Sequence, residues 1–350
     1  MIITVTPNPA LDLTYTLDEV RLGDTHRVAP AAVRAGGKGL NVARVVHQQG
    51  QPVLAITPTG GPSGLELTDD LVQSRIPHLM VPVQATTRRT VAFVDTGHNQ
   101  TSIFNEFGEN HTPAEWQALT DAVASALPNA HCLVISGSLP SGADAAFIPH
   151  LVALAHALAV PTVVDTSGPA LLAAAAAGAT VLKPNRQELQ EATGEDDPVA
   201  AAHTLVTLGA HLVLVSLGEK GMLAVSADDS RPWRARLPVA LTGNPTGAGD
   251  AAVAAAAVQL ATARQADQRL GLPVGGRPVE RHRIDAEAVL RTATAWSAAA
   301  VLMPLAGEIS AEHPSLAAQL IVDRLAPSMP AAAEASDAAP STTHTTLENR

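Results

Sequence analysis

Short apolar segments alternate with longer segments of helical periodicity along most of the chain. The apolar segments predict buried strands at residues 2–6, 53–57, 131–136, 162–165, 180–183 and 211–216. The periodic segments predict helices at residues 40–49, 64–74, 113–126, 145–158, 169–177, 198–208 and 285–303, with a further long helix after Asp250. Continuous apolar strands separated by helices are typical of a parallel sheet that helices cover on both faces. The pattern therefore predicts an α/β fold with a mostly parallel central sheet.

A second group of segments departs from this pattern. Residues 13–16 and 26–33 alternate in hydrophobicity like exposed strands, and residues 90–95 and 100–104 flank a Thr-Gly-His-Asn hairpin signal. Residues 222–226 and 233–237 favour antiparallel edge strands. Polar, Gly/Pro-rich residues 264–283 predict a surface loop, and the Ala/Ser/Thr/Pro-rich residues 327–350 predict a disordered tail.

The stretch Pro-Thr-Gly-Ala-Gly-Asp at 245–250 precedes an alanine-rich segment of high helix propensity. Gly247, Ala248 and Gly249 should form the opening turn of a helix, where unpaired N–H groups and the helix dipole favour an anion. Asp250 would lie in the same turn, beside that anion. A carboxylate in this position suits proton removal during phosphoryl transfer. The alternative is a structural loop that caps a buried helix, with Asp250 stabilised by the dipole.

Composition limits the classes of partner. Acidic residues outnumber basic ones by 33 to 22, and the net charge of −11 excludes a broad electrostatic case for nucleic acid or acidic membranes. An anionic substrate would need a local basic pocket. A single cysteine, Cys132, excludes an internal disulfide and fits a reducing compartment. No long apolar segment or signal peptide is visible, so we expect a cytoplasmic protein. The histidines lack zinc-ligand spacing.

Eight segments together resemble one family. In chain order they are TPNPALD (6–12), AGGKGLNVARV (35–45), TR (87–88), SGSLPSG (136–142), DTSGPAL (165–171), KPNRQEL (183–189), SLGEKG (216–221) and PTGAGD (245–250). Over residues 1–305 the chain is similar to the ribokinase-like sugar kinases of the phosphofructokinase-B group. The resemblance implies a ribokinase-like, Rossmann-type three-layer sandwich within a kinase domain at 1–326. It also implies a small β-sheet lid, with strands within 11–34 and 87–106, that pairs with its copy in a homodimer.

The same resemblance implies ATP as phosphoryl donor and Mg²⁺ as metal ion. Its implied catalytic residues are Asp250, Gly247, Ala248 and Gly249, and its implied ATP-binding residues are Lys183, Asn185, Ser216, Gly218, Gly221, Gly247 and Gly249. Glu188, Asn185 and Asp165 would hold the metal largely through water. Independently, Lys183 ends a predicted strand and Asn185 follows it, at the edge where open α/β sheets bind ligands. Asn185 and Glu188 share a helix face, although an ordinary helix start explains them equally.

The implied sugar-binding residues are Asp12, Gly37, Lys38, Asn41, Arg88, Arg27 and Ser138. Lys38, Arg88 and Arg27 would form the local cationic pocket for a substrate phosphate. A solvated charge at Arg27 and a turn-forming role for Ser138 are the alternatives. Family members that use fructose 1-phosphate or tagatose 6-phosphate carry Gly-Gly-Lys-Gly, whereas some fructose 6-phosphate enzymes have glycine in place of the lysine. The resemblance thus implies phosphorylation of fructose 1-phosphate to fructose 1,6-bisphosphate.

The chain departs from the family pattern at three places. Phe107 replaces a proline, Thr90 stands where asparagine is frequent, and alanines at 254–255 replace glycines. Tagatose-6-phosphate kinase and 6-phosphofructokinase stay open as alternatives within the family. A catalytically silent sugar- or nucleotide-sensing protein is an alternative of another class. A dinucleotide oxidoreductase would need a GxGxxG fingerprint after the first strand, which is missing.

Overall fold

A computed structural model describes residues 1–98, 100–270 and 284–325. The described residues form a ten-stranded sheet and a separate four-stranded sheet. The strands are β1 (Ile2–Val5), β2 (Ala10–Leu17), β3 (Ala32–Gly36), β4 (Val53–Thr59), β5 (His78–Pro82), β6 (Arg88–Asp95), β7 (Gln100–Asn105), β8 (Cys132–Ser136), β9 (Thr162–Asp165), β10 (Val181–Leu182), β11 (Leu212–Ser216), β12 (Met222–Ser226), β13 (Asp229–Arg236) and β14 (Ile321–Arg324).

The large sheet has the order β14-β13-β12-β11-β10-β9-β8-β1-β4-β5. The strands from β11 to β5 in this order pair in parallel, and β12, β13 and β14 extend the sheet in antiparallel pairing. All parallel strands therefore present their carboxyl ends at one edge. Loops that follow them meet there, which is the edge where open α/β sheets bind ligands.

Helices cover both faces of this sheet. Their bounds are α1 (Lys38–Gln48), α2 (Gly61–Gln73), α3 (Pro113–Ala126), α4 (Phe147–Ala157), α5 (Pro169–Ala176), α6 (Arg186–Thr193), α7 (Pro198–Leu208), α8 (Ala248–Arg269), α9 (Ala286–Val301) and α10 (His313–Gln319). The first two helices and the last three pack on one face, and α3 to α7 pack on the other. Within β9, Val163 belongs to the first core and Val164 to the second. This alternation explains why the strands are apolar throughout.

The small sheet has the order β3-β2-β6-β7. Its strand β2 is the next element in the chain after β1 of the large sheet. The predicted hairpin is confirmed, because β6 and β7 pair antiparallel from Thr90 with Asn105 to Asp95 with Gln100. Every residue of β7 is exposed. The described part of the chain contains no helix that is both long and apolar enough to cross a membrane.

Several predictions of local structure were wrong. Residues 26–31 form no strand, because the pairing of β3 with β2 is limited to residues 32–36. Residues 264–269 continue α8, while the rest of that predicted loop from 271 onward and the predicted tail lie outside the described residues. Residues 222–226 and 233–237 are antiparallel as expected but do not form an edge, since β14 covers β13. The sequence reasoning missed β5, α10 and β14, which are short and lack a clear hydrophobic period.

Candidate active site

A large cleft lies at the carboxyl edge of the parallel strands, beside the small sheet. Its volume is about 1210 Å³. It brings together every predicted site residue except Arg27: Asp12, Gly37, Lys38, Asn41, Arg88, Ser138, Asp165, Lys183, Asn185, Glu188, Ser216, Gly218, Gly221, Gly247, Ala248, Gly249 and Asp250.

Arg27 is the exception. It is exposed and lies in the part of the chain that forms no strand before β3. The structure therefore does not bring Arg27 into the cleft with the other predicted site residues. Its role in binding a substrate phosphate stays a prediction, with a solvated charge as the alternative.

The amino end of α8 opens into the cleft. Gly247 has a φ of 84°, in the left-handed region that favours glycine. The N–H of Ala248 donates to the Pro245 carbonyl at 3.2 Å, so it is already bonded. The N–H groups of Gly247, Gly249 and Asp250 have no acceptor among the described residues. These three donors, at the positive end of a helix dipole, form a ready site for an anion.

Lys183 lies against the same helix end. A Cβ atom placed on Gly249 would be 3.2 Å from the Lys183 ammonium, so glycine allows this close approach. Lys183 is buried, and its Nζ atom lies 3.5 Å from Oδ1 of Asp165. A buried cation and unpaired helix amides thus face one region of the cleft.

Asp250 is buried in the first turn of α8, with 6% of its surface exposed. Its Oδ2 accepts a hydrogen bond from Nδ2 of Asn41 at 2.8 Å. Burial, and then the negative charge of Asp165, raise the pKa of Asp250 to about 7, while Lys38 and the Asn41 hydrogen bond act in the opposite direction. A carboxylate that titrates near neutral pH is well suited to general-base chemistry.

Lys38 lies among carboxylates at the start of α1. Its Nζ atom is 3.3 Å from Oδ1 of Asp165 and 3.5 Å from Oε1 of Glu188. Burial alone would lower the pKa of Lys38, but Asp165, Glu188 and Asp250 together raise it above its usual value. The ammonium therefore stays charged and neutralises the acidic side of the cleft. The structure records this pairing rather than a contact between Lys38 and Arg88.

Asn185 and Glu188 form a capping box at the start of α6. Oδ1 of Asn185 accepts the Glu188 N–H at 2.8 Å, and Oε2 of Glu188 accepts the Asn185 N–H at 2.9 Å. No group of three His, Cys, Asp or Glu side chains in the described ranges could hold a metal directly. Asp165 and the second Glu188 oxygen still offer hard ligands at the cleft. This donor set fits Mg²⁺ held through water and phosphate oxygens, as this ion prefers.

Arg88 is held on the small-sheet side of the cleft by polar neighbours. Its Nε donates to Oδ1 of Asn8 at 3.1 Å, and Nη1 donates to the Thr90 hydroxyl at 3.4 Å. Asn8 in turn donates to the Ser138 hydroxyl at 3.3 Å. The sequence reasoning missed Asn8. Its position directly after β1 was a signal that it lies at the ligand-binding edge.

Asp12 occupies the same side of the cleft on β2. Burial raises its pKa to about 6, against the opposing effects of a Thr90 hydrogen bond and the charge of Arg88. A Cβ atom on Gly36 would lie 1.9 Å from Oδ2 of Asp12. The glycine therefore makes room for this carboxylate, which gives the cleft an acceptor for hydroxyl groups.

One end of the cleft is apolar. Leu237, Leu241, Ala298 and Val301 line this end, on the loop after β13 and on α9. These residues were also missed, because aliphatic side chains in a loop or helix carry no signal that separates a ligand wall from ordinary core. An apolar slot next to the polar helix end matches a ligand with a flat heterocycle and a charged group.

The model of the pfkB family of carbohydrate kinases matches residues 6–311 of the chain. The chain belongs to this family. This carbohydrate kinase is 35% identical over 265 residues to ATP-dependent 6-phosphofructokinase isozyme 2 of Mycobacterium tuberculosis, covering 74% of the chain and 77% of the relative. The family membership confirms the predicted enzyme class, a phosphotransferase that acts on a hydroxyl acceptor.

Solved structures support the fold of the kinase. Phosphofructokinase-2 from Escherichia coli in complex with potassium superposes with a TM-score of 0.79 at 28% identity, covering 91% of this chain and 98% of the other. Ribokinase from Arabidopsis thaliana, complexed with ribose and ATP, has a TM-score of 0.64 at 20% identity, with 90% and 96% covered. The predicted ribokinase-like α/β fold with a small separate sheet is confirmed.

Proposed function

We propose that this kinase transfers the terminal phosphoryl group of ATP to a fructose monophosphate, with Mg²⁺ as metal ion. The observation that carries the proposal is the buried carboxylate of Asp250 in the first turn of α8, beside unpaired amide donors. Lys183 lies at the same helix end, and Arg88 lines the same cleft. The name of the M. tuberculosis relative agrees with a fructose phosphate as acceptor.

The chemistry follows from this placement. Asp250 takes the proton of the acceptor hydroxyl as that oxygen attacks the γ-phosphorus. The bond from the γ-phosphorus to the bridging oxygen breaks, and ADP leaves with that electron pair. The amides of Gly247 and Gly249, the backbone N–H of Asp250 and the Lys183 ammonium stabilise the charge on the transferring group. We leave Ala248 out of this set because its N–H is bonded to Pro245. Such catalysis consists mostly of positioning and electrostatics.

The nucleotide occupies the α8 side of the cleft in this proposal. Ser216, Gly218 and Gly221 lie along the phosphates and ribose, and the apolar end holds the base. Asp165 and Glu188 would hold Mg²⁺ through water, with Asn185 keeping Glu188 in place through the capping box. When bound, the ion neutralises charge on the phosphates.

The sugar phosphate occupies the side next to the small sheet. Asp12 would accept hydrogen bonds from sugar hydroxyls, and Asn41 would donate a hydrogen bond to one. The backbone of Gly37 would approach the sugar closely. Arg88, supported by Ser138 through Asn8, would bind the phosphate that the substrate already carries. Closure of the small sheet over the sugar would exclude water and limit hydrolysis of ATP.

We infer that fructose 1-phosphate is the preferred acceptor, on the strength of Lys38 in the Gly-Gly-Lys-Gly segment. Fructose 6-phosphate is the second candidate, favoured by the name of the M. tuberculosis relative. Tagatose 6-phosphate is the third, since its kinases share the lysine. Fructose 1-phosphate and fructose 6-phosphate differ in the position of the phosphate that they already carry. The transfer chemistry at the start of α8 is the same for both.

An ADP-release assay on the three sugar phosphates tests the proposal. We expect kcat/KM to be highest for fructose 1-phosphate, by about 10-fold or more, the discrimination that one well-placed charged contact supplies. A preference for fructose 6-phosphate or tagatose 6-phosphate would replace the acceptor but leave the kinase proposal intact. No release above the sugar-free blank with any of them would support the catalytically silent alternative.

The homodimer through the small sheet stays a prediction. Val33 and Phe104 are exposed hydrophobic side chains that share one face of that sheet, since both are in register with Leu13 and Val91 on the strands between them. Exposed apolar surface of this kind often marks an interface. Light scattering on the purified protein should give twice the mass of one chain, and Phe104→Asp should shift it toward a single chain. A single-chain mass for the wild type at micromolar concentration would contradict the dimer.

A further inference from the structure

A second cavity of about 370 Å³ lies at the opposite edge of the large sheet. It is bounded by α8, α9 and the residues that precede three parallel strands: Val160 before β9, Thr180 before β10 and His211 before β11. Arg264 on α8 lines this cavity, fourteen residues after Asp250. At 1.5 Å per helical residue the two positions are about 21 Å apart along the axis. The cavity is therefore separate from the active-site cleft.

Arg264 is a buried cation with an incomplete set of partners. Only 7% of its surface is exposed. Its Nη2 donates to the Leu158 carbonyl at 3.0 Å, while Nε and Nη1 find no acceptor. Burial lowers its pKa, and no carboxylate within the described ranges forms an ion pair with it. A buried guanidinium that has no acidic partner among the described residues is unfavourable, and an anion bound beside it would stabilise it.

The other groups around the cavity do not supply that anion. Asp285 lines the cavity, but it is exposed and its Oδ1 accepts the Ala288 N–H at 2.9 Å as the N-cap of α9. Gln259 donates from its amide to the Thr292 hydroxyl at 3.0 Å. Asp285, the acidic residue that lines the cavity, therefore caps α9 and has no recorded contact with Arg264.

The cavity walls define the rest of the ligand. Leu260, Val289, Val160 and Ala288 provide an apolar surface, and the volume falls in the usual range for small-molecule sites, about 300–1000 Å³. A single buried guanidinium matches one carboxylate through paired N–H donors, whereas a polyphosphate would require several cations. We propose that this cavity binds a small monocarboxylate with an apolar body, its carboxylate resting on Arg264 and its body between α8 and α9.

Calorimetric titration of the full chain with benzoate and hexanoate tests the proposal, with benzamide as the neutral counterpart of benzoate. We expect at least one carboxylate to bind saturably at one site per chain, and benzamide to bind at least 10-fold more weakly, since a charged hydrogen bond is lost. Arg264→Met should weaken the carboxylate by a similar factor. Arg269→Met, an exposed arginine five residues later on α8, is the matched control and should leave binding unchanged.

Two further variants separate this cavity from other sites and from misfolding. Arg88→Met removes a cation of the active-site cleft and should leave carboxylate binding unchanged, whereas Ala288→Phe fills the cavity and should abolish it. Arg264→Met should unfold at the same temperature as the wild type or higher, because it removes an unpaired buried charge. Absence of saturable binding, equal binding by Arg264→Met, or loss of binding in Arg88→Met would each overturn the proposal.

Discussion

The variant Asp250→Asn is expected to lose about 10²–10⁴-fold in kcat, the range that general-base catalysis supplies. Asparagine has nearly the same shape, and its carbonyl oxygen can still accept the hydrogen bond from Asn41. It cannot take a proton from the attacking hydroxyl. The KM for the sugar phosphate should therefore change little. Steady-state ADP release at saturating ATP measures both constants.

The pH dependence of activity and stability provides the control for this loss. The wild-type kcat/KM should decline as the pH falls below about 7, because the raised pKa leaves less ionised Asp250. The contribution of Asp250 to the stability of the fold has the opposite pH dependence and decreases as the pH rises. The native pKa lies above the ordinary value of 3.8, so the stabilising contribution of the protonated form is complete below that value and is lost as pH rises through about 7.

Asparagine has no such titration. Asp250→Asn should therefore have a Tm equal to the wild type near pH 4 and a few degrees higher at pH 8, provided that both remain folded at the lower pH. A folded variant with low kcat assigns the loss to chemistry. Near-normal turnover by Asp250→Asn at pH 8 would remove Asp250 from the mechanism.

The second large effect is expected at the phosphate of the acceptor. Arg88→Ala should raise the KM for the sugar phosphate by about 10–100-fold, the loss that accompanies a charged hydrogen-bonded pair. The KM for ATP should stay within about 2-fold. Arg88 is positioned through Asn8 and Thr90 on the small-sheet side, away from the end of α8 that we assign to the nucleotide.

The neighbouring arginine is a matched control for this experiment. Arg89 does not line the cleft, and its Nη2 lies 3.9 Å from Glu66 at a partly exposed position. Arg89→Ala should change neither KM by more than about 2-fold, since surface ion pairs contribute little. Equal increases in the KM for ATP and for sugar phosphate in Arg88→Ala would indicate a folding role and contradict the assignment.

Interactions that are local in sequence could be predicted, and those that depend on a partner strand could not. Asn185 and Glu188 are three residues apart, and their capping box needs only the first turn of α6. Residues 26–31, which include Arg27, could form a lid strand only by pairing with another strand, and β2 pairs with β3 over residues 32–36 alone. The alternating pattern at 26–33 carried no information about that partner. Pairing between distant strands is set by the tertiary fold.

The pKa values in the cleft show the same limit. Asp250 and Asn41 are separated by 209 residues, and Lys38 and Asp165 by 127. The sequence shows these residue types and their motifs, but it does not show the distances between the paired side chains. The raised pKa of Asp250 follows from its burial and from the negative charge of Asp165. These two residues become neighbours only when α8 and β9 meet at the same edge of the sheet.

By itself, the sequence determined the alternation of strands and helices, the parallel sheet, the turn at the start of α8 and the identity of the groups that can do phosphoryl chemistry. The hydrophobic period and the placement of glycines act over a few residues, so a short stretch of sequence is enough to predict these features. The tertiary structure alone decided that Lys38 lies among carboxylates, that Arg27 stays outside the cleft and that Arg264 is buried with no acidic partner among the described residues. Those outcomes depend on which distant side chains share a low-dielectric space, and chain folding is what brings them into it.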